Sequence, residues 1–174
     1  SVLTDKRFFG GKLDFIKDIK KVTNVPILRK DFIVDNYQIY ESKLYDADAI
    51  LLIAGILSLK ELKGFLHIAK ELDIQCLVEC HNKHEINDAI SAGAEIIGIN
   101  NRDLTTFSVD LDRFSELRKL IPANIAVVSE SGMNTFHDAS KMKAYGADAI
   151  LIGTSLMKSD NIPEKIKELR GLRK

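Results

Sequence analysis

Seven short apolar runs rich in β-branched residues alternate with longer stretches of helical periodicity, one turn signature recurs three times, and polar or charged residues follow nearly every run. Together these predict an α/β chain of parallel βα units: an incomplete TIM (β/α)8 barrel, with strands 2–8 present and the first βα unit missing. With 174 residues and 45% hydrophobic content the chain can bury a substantial core. No linker, low-complexity tract or charge block divides it, so one partial barrel domain over residues 1–174 is expected.

The predicted strands are Ser1–Thr4, Val25–Leu28, Ala49–Ile53, Gln75–Glu79, Ile96–Asn100, Ala126–Ser129 and Ala149–Gly153. Between them, Leu13, Ile16 and Ile19 fall on one helical face, as do Leu59, Leu62, Leu66 and Ala69. Further helices are expected near Asn36–Leu44, Lys83–Ala92, Leu111–Lys119, Thr135–Tyr145 and Pro163–Leu172. Ser58 and Thr135 suit N-caps, and Pro163 suits a first helical turn. The repeat is Tyr45-Asp46-Ala47-Asp48-Ala49-Ile50-Leu51, echoed by Tyr145-Gly146-Ala147-Asp148-Ala149-Ile150-Leu151 and by Ala92-Gly93-Ala94-Glu95-Ile96-Ile97. Gly93 and Gly146 fit the left-handed residue that ends a helix, and Asp46 takes that place in the first copy. A doubly wound open sheet is the alternative, but no Gly-x-Gly-x-x-Gly follows the first strand.

Composition narrows the partners. Twenty-five basic residues balance 25 acidic ones, so no basic field gathers nucleic acid or anionic lipid. No apolar run approaches the ~20 residues of a membrane span, and the first residues lack a signal-peptide layout. A cytoplasmic protein without nucleic-acid or membrane partners is expected. Cys76 and Cys80 lie within one predicted strand, without metal or disulfide-framework spacing, and read as small core residues.

In a parallel barrel the loops after the strands carry the chemistry. Here they offer Thr4-Asp5 with Phe8-Phe9-Gly10-Gly11, then Lys30-Asp31-Phe32, Glu79, Asn100-Asn101-Arg102-Asp103, Glu130-Ser131-Gly132 and Gly153-Thr154-Ser155. Side chains alternate along a strand, so Pro26, Leu28 and Lys30 share one face while Ile27 and Arg29 share the other. If Leu28 faces a closed interior, so does Lys30, and an amine at an apolar rim can exchange protons. The bland alternative is a solvated lysine paired with Asp31. Glu79 and Glu130 at strand ends could serve as an acid and a base, or as rim ion pairs. The glycines and hydroxyls at Glu130-Ser131-Gly132 and Gly153-Thr154-Ser155 follow the last two strands, where barrels commonly bind phosphate through backbone N–H groups. Phe8, Phe9, Phe32 and Leu104 fit either an aromatic-accepting pocket or plain core. Arg102 suits a substrate carboxylate or a structural ion pair with Asp103. His67, His84 and His137 fall on predicted helices and receive no role, and His81 beyond a strand is weak evidence.

These segments resemble indole-3-glycerol phosphate synthase of tryptophan biosynthesis. The likeness is carried by Ser1-Val2-Leu3-Thr4-Asp5 with Phe8-Phe9, Leu28-Arg29-Lys30-Asp31-Phe32 followed by Tyr37-Gln38, Leu51-Leu52-Ile53, Leu77-Val78-Glu79, Ile99-Asn100-Asn101-Arg102-Asp103-Leu104, Ser129-Glu130-Ser131-Gly132 and Leu151-Ile152-Gly153-Thr154-Ser155-Leu156-Met157. It implies a cofactor- and metal-free carboxy-lyase. The reaction would convert 1-(2-carboxyphenylamino)-1-deoxyribulose 5-phosphate to indole-3-glycerol phosphate, losing carbon dioxide and water. By position the resemblance makes Lys30 the general acid and Glu79 the proton carrier for dehydration. Asn100, Glu130 and Ser131 would position substrate and orient the lysine. Arg102 would lie near the anthranilate end, Phe9, Phe32 and Leu104 would pack on the aromatic ring, and Gly132, Gly153 and Thr154 would cradle phosphate.

The family's N-terminal helix, and its first strand with a Glu-x-Lys-x-x-Ser-Pro-Ser pattern, have no counterpart in this sequence. Weak or absent activity of the isolated chain, and self-association through unpaired barrel edges, are therefore expected. The alternatives are another phosphate-binding barrel, such as phosphoribosylanthranilate isomerase, or a non-catalytic fragment that pairs with a partner.

Overall fold

The repeated turn is where local sequence most directly becomes structure. In the computed structural model, which describes residues 1–103 and 106–172, Asp46, Asp73, Gly93 and Gly146 all adopt left-handed φ values between 52° and 91°. Each closes its helix the same way. The left-handed residue donates to the carbonyl three back, and the next residue donates to the one five back: Asp46 N–H to Lys43 O with Ala47 N–H to Ser42 O, and Gly146 N–H to Lys143 O with Ala147 N–H to Met142 O. This double bond pattern satisfies the orphan carbonyls of a helix end. The following aspartate then reaches back to the start of the preceding strand. Asp48 Oδ2 accepts from Ile27 N–H at 2.6 Å, and Asp148 Oδ2 accepts from Val127 N–H at 2.7 Å.

These turns connect seven parallel strands, β1 (Val2–Leu3), β2 (Leu28–Lys30), β3 (Ala49–Ile53), β4 (Gln75–Cys80), β5 (Ile96–Asn100), β6 (Ala126–Glu130) and β7 (Ala149–Leu151). The helices are α1 (Lys6–Phe9), α2 (Asp14–Lys20), α3 (Asn36–Leu44), α4 (Leu59–Glu71), α5 (Lys83–Ala92), α6 (Asp112–Arg118), α7 (Phe136–Ala144), α8 (Thr154–Met157) and α9 (Ile162–Leu169). The class is α/β with the strand and helix alternation of an incomplete TIM barrel. Capping boxes start α3 from Asp35 and Gln38, α4 from Ser58 and Glu61, and α7 from Thr135 and Asp138.

The residues fall into two compact units, Ser1–Glu79 with Asn87–Glu95, and Cys80–Ile86 with residues from Ile96 onward. In the first, β1 to β4 pair in chain order, with Leu3 beside Lys30 and Ile53 beside Glu79. Its core includes Ile16, Ile39, Ile50, Leu52 and Leu62, all under 2% exposed. In the second, β5 to β7 pair in order, with Asn100 beside Glu130 and Glu130 beside Leu151. Ile97, Ile99, Phe114, Val127 and Met142 are fully buried there.

Several predicted boundaries move. The second strand is not Val25–Leu28 but Leu28–Lys30: Val25 is 66% exposed and Pro26 lacks the N–H a ladder needs. Lys30 is thus the last residue of a strand rather than a residue beyond one. Pairing likewise carries β4 to Cys80 and β6 to Glu130, while β1 and β7 are shorter than expected. The four-residue helices α1 and α8 and a 3-10 turn at Ala54–Ile56 are too short to show a hydrophobic period, and sequence reasoning missed them.

Candidate active site

In the first unit the last residue of β2 meets the end of β4. Lys30 Nζ lies 3.2 Å from Glu79 Oε2, with the lysine side chain 24% exposed and the carboxylate 5%. The bland alternative, Lys30 solvated beside Asp31, does not hold, because Asp31 is engaged by another cation. Arg29 Nε and Nη2 donate to Asp31 Oδ2 at 3.2 and 2.9 Å, and Thr4 Oγ1 donates to the same oxygen at 2.6 Å. Alternation sends Arg29 to the opposite face from Lys30, where its guanidinium also donates to Gln38 O, Ser42 Oγ and Glu41 Oε2.

Beyond Asp31, the ring of Phe32 stacks near Phe9 with centroids 6.4 Å and planes 19° apart, and meets Phe8 edge-on at 5.7 Å. All three are exposed, Phe8 by 65%, Phe9 by 56% and Phe32 by 38%, so the core alternative fails for them. They present an exposed apolar face on the segments that follow β1 and β2. The carrier segment is itself held: Asp5 caps α1 by accepting from Phe8 N–H, and Gln38 accepts from Val34 and Asp35 N–H while donating to Phe32 O. Gly11 is required here, since a Cβ would stand 2.3 Å from Leu3 O.

In the second unit Asn100 and Glu130 are neighbours across β5 and β6, and both are buried, at 7% and 1% exposure. The turn after β6 places two consecutive residues in the left-handed region, Ser131 at φ 63° and Gly132 at φ 91°. A serine there carries about 1–2 kcal/mol of strain, so something must hold it. That grip is Asn101, fully buried, whose Nδ2 donates to Ser129 Oγ at 2.9 Å and to Ser131 O at 3.1 Å. Sequence reasoning placed Asn101 on the rim but gave it no role. Gly132 is needed for packing as well as conformation, because a Cβ would fall 2.4 Å from Val109 Cγ1. Gly153 differs: a Cβ there would meet nothing within 4 Å. Gly153 and exposed Thr154 open α8 immediately after β7, the strand paired with β6.

Arg102 is half-buried and donates to Phe107 O at 3.2 Å, whereas Asp103 lies 3.5 Å from Arg113. Leu104 lies outside the described residues. His81, whose ring Nδ1 and backbone N–H both face Glu85 Oε2, belongs to the start of α5. Burial alone would raise the Glu85 carboxyl, but the hydrogen bonds from His81 and Asn82 outweigh it and hold the group below the usual carboxylate range. No cluster of three metal-ligating side chains occurs among the described residues, and no helix among them is long and apolar enough to cross a membrane.

A family model for indole-3-glycerol phosphate synthase matches residues 1–169. Among curated relatives, an indole-3-glycerol phosphate synthase of Alkaliphilus metalliredigens is 54% identical over 170 residues, covering 98% of this chain and 65% of the relative. Proteins of the same name from Endomicrobium trichonymphae and Caldanaerobacter subterraneus subsp. tengcongensis are 51% and 52% identical, with 66% and 67% of their lengths covered. The chain thus spans about two thirds of the length of the relatives it matches.

Proposed function

We infer the chemistry from one premise: the chain belongs to the indole-3-glycerol phosphate synthase family. The proposed reaction is closure of 1-(2-carboxyphenylamino)-1-deoxyribulose 5-phosphate to indole-3-glycerol phosphate, releasing carbon dioxide and water. The observation that carries it is the Lys30 and Glu79 pair, a half-buried amine 3.2 Å from a buried carboxylate, brought together from the ends of β2 and β4, the strands either side of β3. In the proposed sequence the carboxylate-bearing ring carbon attacks the substrate's carbonyl carbon, and Lys30 protonates the carbonyl oxygen as the carbon–carbon bond forms. Decarboxylation then restores the ring's electrons. In the dehydration the new hydroxyl takes up a proton and leaves as water while the adjacent ring CH2 gives up a proton to form the double bond, and Glu79 is the proton carrier of this step, which completes the indole. An exposed cluster of aromatic rings carried by the residues that follow β1 and β2 suits an anthranilate-like ring, and we assign Phe9, Phe32 and Leu104 to that contact.

We assign Asn100, Glu130 and Ser131 to substrate positioning and Arg102 to the anthranilate carboxylate. Gly132, Gly153 and Thr154 are assigned to the phosphate; the open space at Gly153 and the exposed start of α8 support that assignment. The phosphate is the chemically distinctive end of the ligand, so it is expected to contribute binding that survives loss of the lysine.

The test is an assay for indole-3-glycerol phosphate with the chain joined to the segment of the Alkaliphilus relative that it does not match. Turnover is expected, and Lys30→Ala should lower it by about 10²–10⁴-fold, with phosphate-ligand affinity nearly unchanged. Near-normal turnover by Lys30→Ala would sink the assignment.

A further inference from the structure

We propose that Arg29, acting through Asp31, is the positioning residue for Lys30 and Phe32, which gives the proposed chemistry a second layer and rests on it for its functional meaning. The strand that delivers the lysine is three residues long, and Lys30 is its last residue. A strand end this short fixes little by its ladder alone, yet proximity catalysis tolerates little misplacement of a reacting group. The two residues flanking Lys30 are tied together on the far face. Arg29, with 3% of its side chain exposed, holds Asp31 Oδ2 through two nitrogens. Thr4 closes the unit by donating its hydroxyl to Asp31, accepting from Arg29 Nε at 3.3 Å, and giving its backbone N–H to Lys30 O at 3.1 Å.

The same carboxylate reaches forward. Asp31 Oδ1 accepts from Phe32 N–H at 2.9 Å, which sets the residue whose ring stacks with Phe9. Arg29 is anchored in turn to α3 by Gln38 O and Ser42 Oγ, and Gln38's side chain binds Phe32 O. One buried guanidinium therefore links the helix behind the strand to both the amine and the aromatic face before it.

Architecture does not require this arginine. One hundred positions later, the equivalent outward place on β6 is Ser129, fully buried, which accepts from Asn101 and precedes Glu130 as Arg29 precedes Lys30. A small hydroxyl thus fills the corresponding place between strand and helix. Replacing a buried ion pair by packed apolar side chains is often neutral or stabilising, so the retained charge network is better explained by what it orients than by what it holds up.

Two variants separate these roles: Arg29→Met keeps length and removes the charge, and Asp31→Asn keeps shape and weakens the grip of Arg29. Both are made in the 174-residue chain and in the joined form described above. The first readout is trace acetylation of every lysine, resolved by mass spectrometry, with circular dichroism and melting temperature as fold controls. Lys30 is expected to acetylate about fivefold faster in both variants as its strand end loosens, with the other lysines unchanged. The second readout is turnover, where kcat should fall on the order of tenfold to a hundredfold with KM nearly constant.

Folded variants with unchanged Lys30 acetylation would overturn the proposal. If Arg29→Met does not fold, Asp31→Asn decides by the same measurements. A joined wild-type chain with no turnover would refute the proposed reaction, while the acetylation result would still decide whether Arg29 positions the lysine.

Discussion

At the residue scale, three side chains outside the candidate site have consequences that can be measured. Burial, with Glu95 nearby, pushes the Cys76 thiol up to about 12, and Cys80 is fully buried. Because the thiolate is the reactive form, neither cysteine should react with a disulfide reagent at about pH 8 until the chain is unfolded, when both should. Asp48 tests the turn repeat. Burial alone would raise its carboxyl, but Lys20 and the Ile27 N–H hold it below the ordinary value of 3.8. A depressed folded-state value means that this stabilisation is present above pH 3.8 and disappears as the pH falls through the lower folded value. Asp48→Ala should therefore cost about 1 kcal/mol at neutral pH, the low end for a donor left without its acceptor where water can reach. The difference from wild type should narrow in acid melts below that value.

At the scale of elements, local chemistry sets where helices begin and how closely they approach the strands. Ser58 closes a reciprocal cap with Glu61 at the start of α4, so Ser58→Ala should destabilise the chain by about 1 kcal/mol in denaturant melts. Gly11→Ala is a harsher change. Its methyl would run into Leu3 O, a backbone atom that cannot rotate away, and a loss of about 1–3 kcal/mol is expected. Since Gly11 N–H also binds Asp5 O, the same variant should disturb α1 and the Phe8 and Phe9 rings it carries. A melt unchanged from wild type would show that the turn relaxes without cost.

For the molecule as a whole, the expectation concerns its sheet edges. β1 pairs with β2, β7 pairs with β6, and each has no second partner strand among the described residues. Leu3 on β1 is 40% exposed beside a cavity of about 390 Å³ lined by Val2, Phe9, Gly11, Phe15 and Ile19, and Ile150 on β7 is 36% exposed. Unpaired edges with apolar side chains recruit other strands. The 174-residue chain alone is expected to self-associate at micromolar concentration in sedimentation experiments, and Leu3→Lys should reduce that association. A monodisperse monomer with and without the substitution would refute it.

The sequence by itself determined the alternation of strand and helix, the N-caps at Ser58 and Thr135, the left-handed ends at Asp46, Gly93 and Gly146, and the delivery of Lys30 and Glu79 to the rim where strands give way to loops. Each rests on neighbours within one turn or one strand, where periodicity and φ preference are legible. What only the tertiary structure decided is which charge meets which. Asp31 was the obvious partner for Lys30, yet alternation turned it to the other face, where Arg29 takes it together with Thr4, 27 residues away from Asp31 in the chain. Lys30 instead meets Glu79 across 49 residues, and Asn101 grips the Ser131 turn from 30 residues away. No local pattern encodes such pairings, because they follow from strand register and from the face each strand residue presents, and those exist only once the sheet has formed.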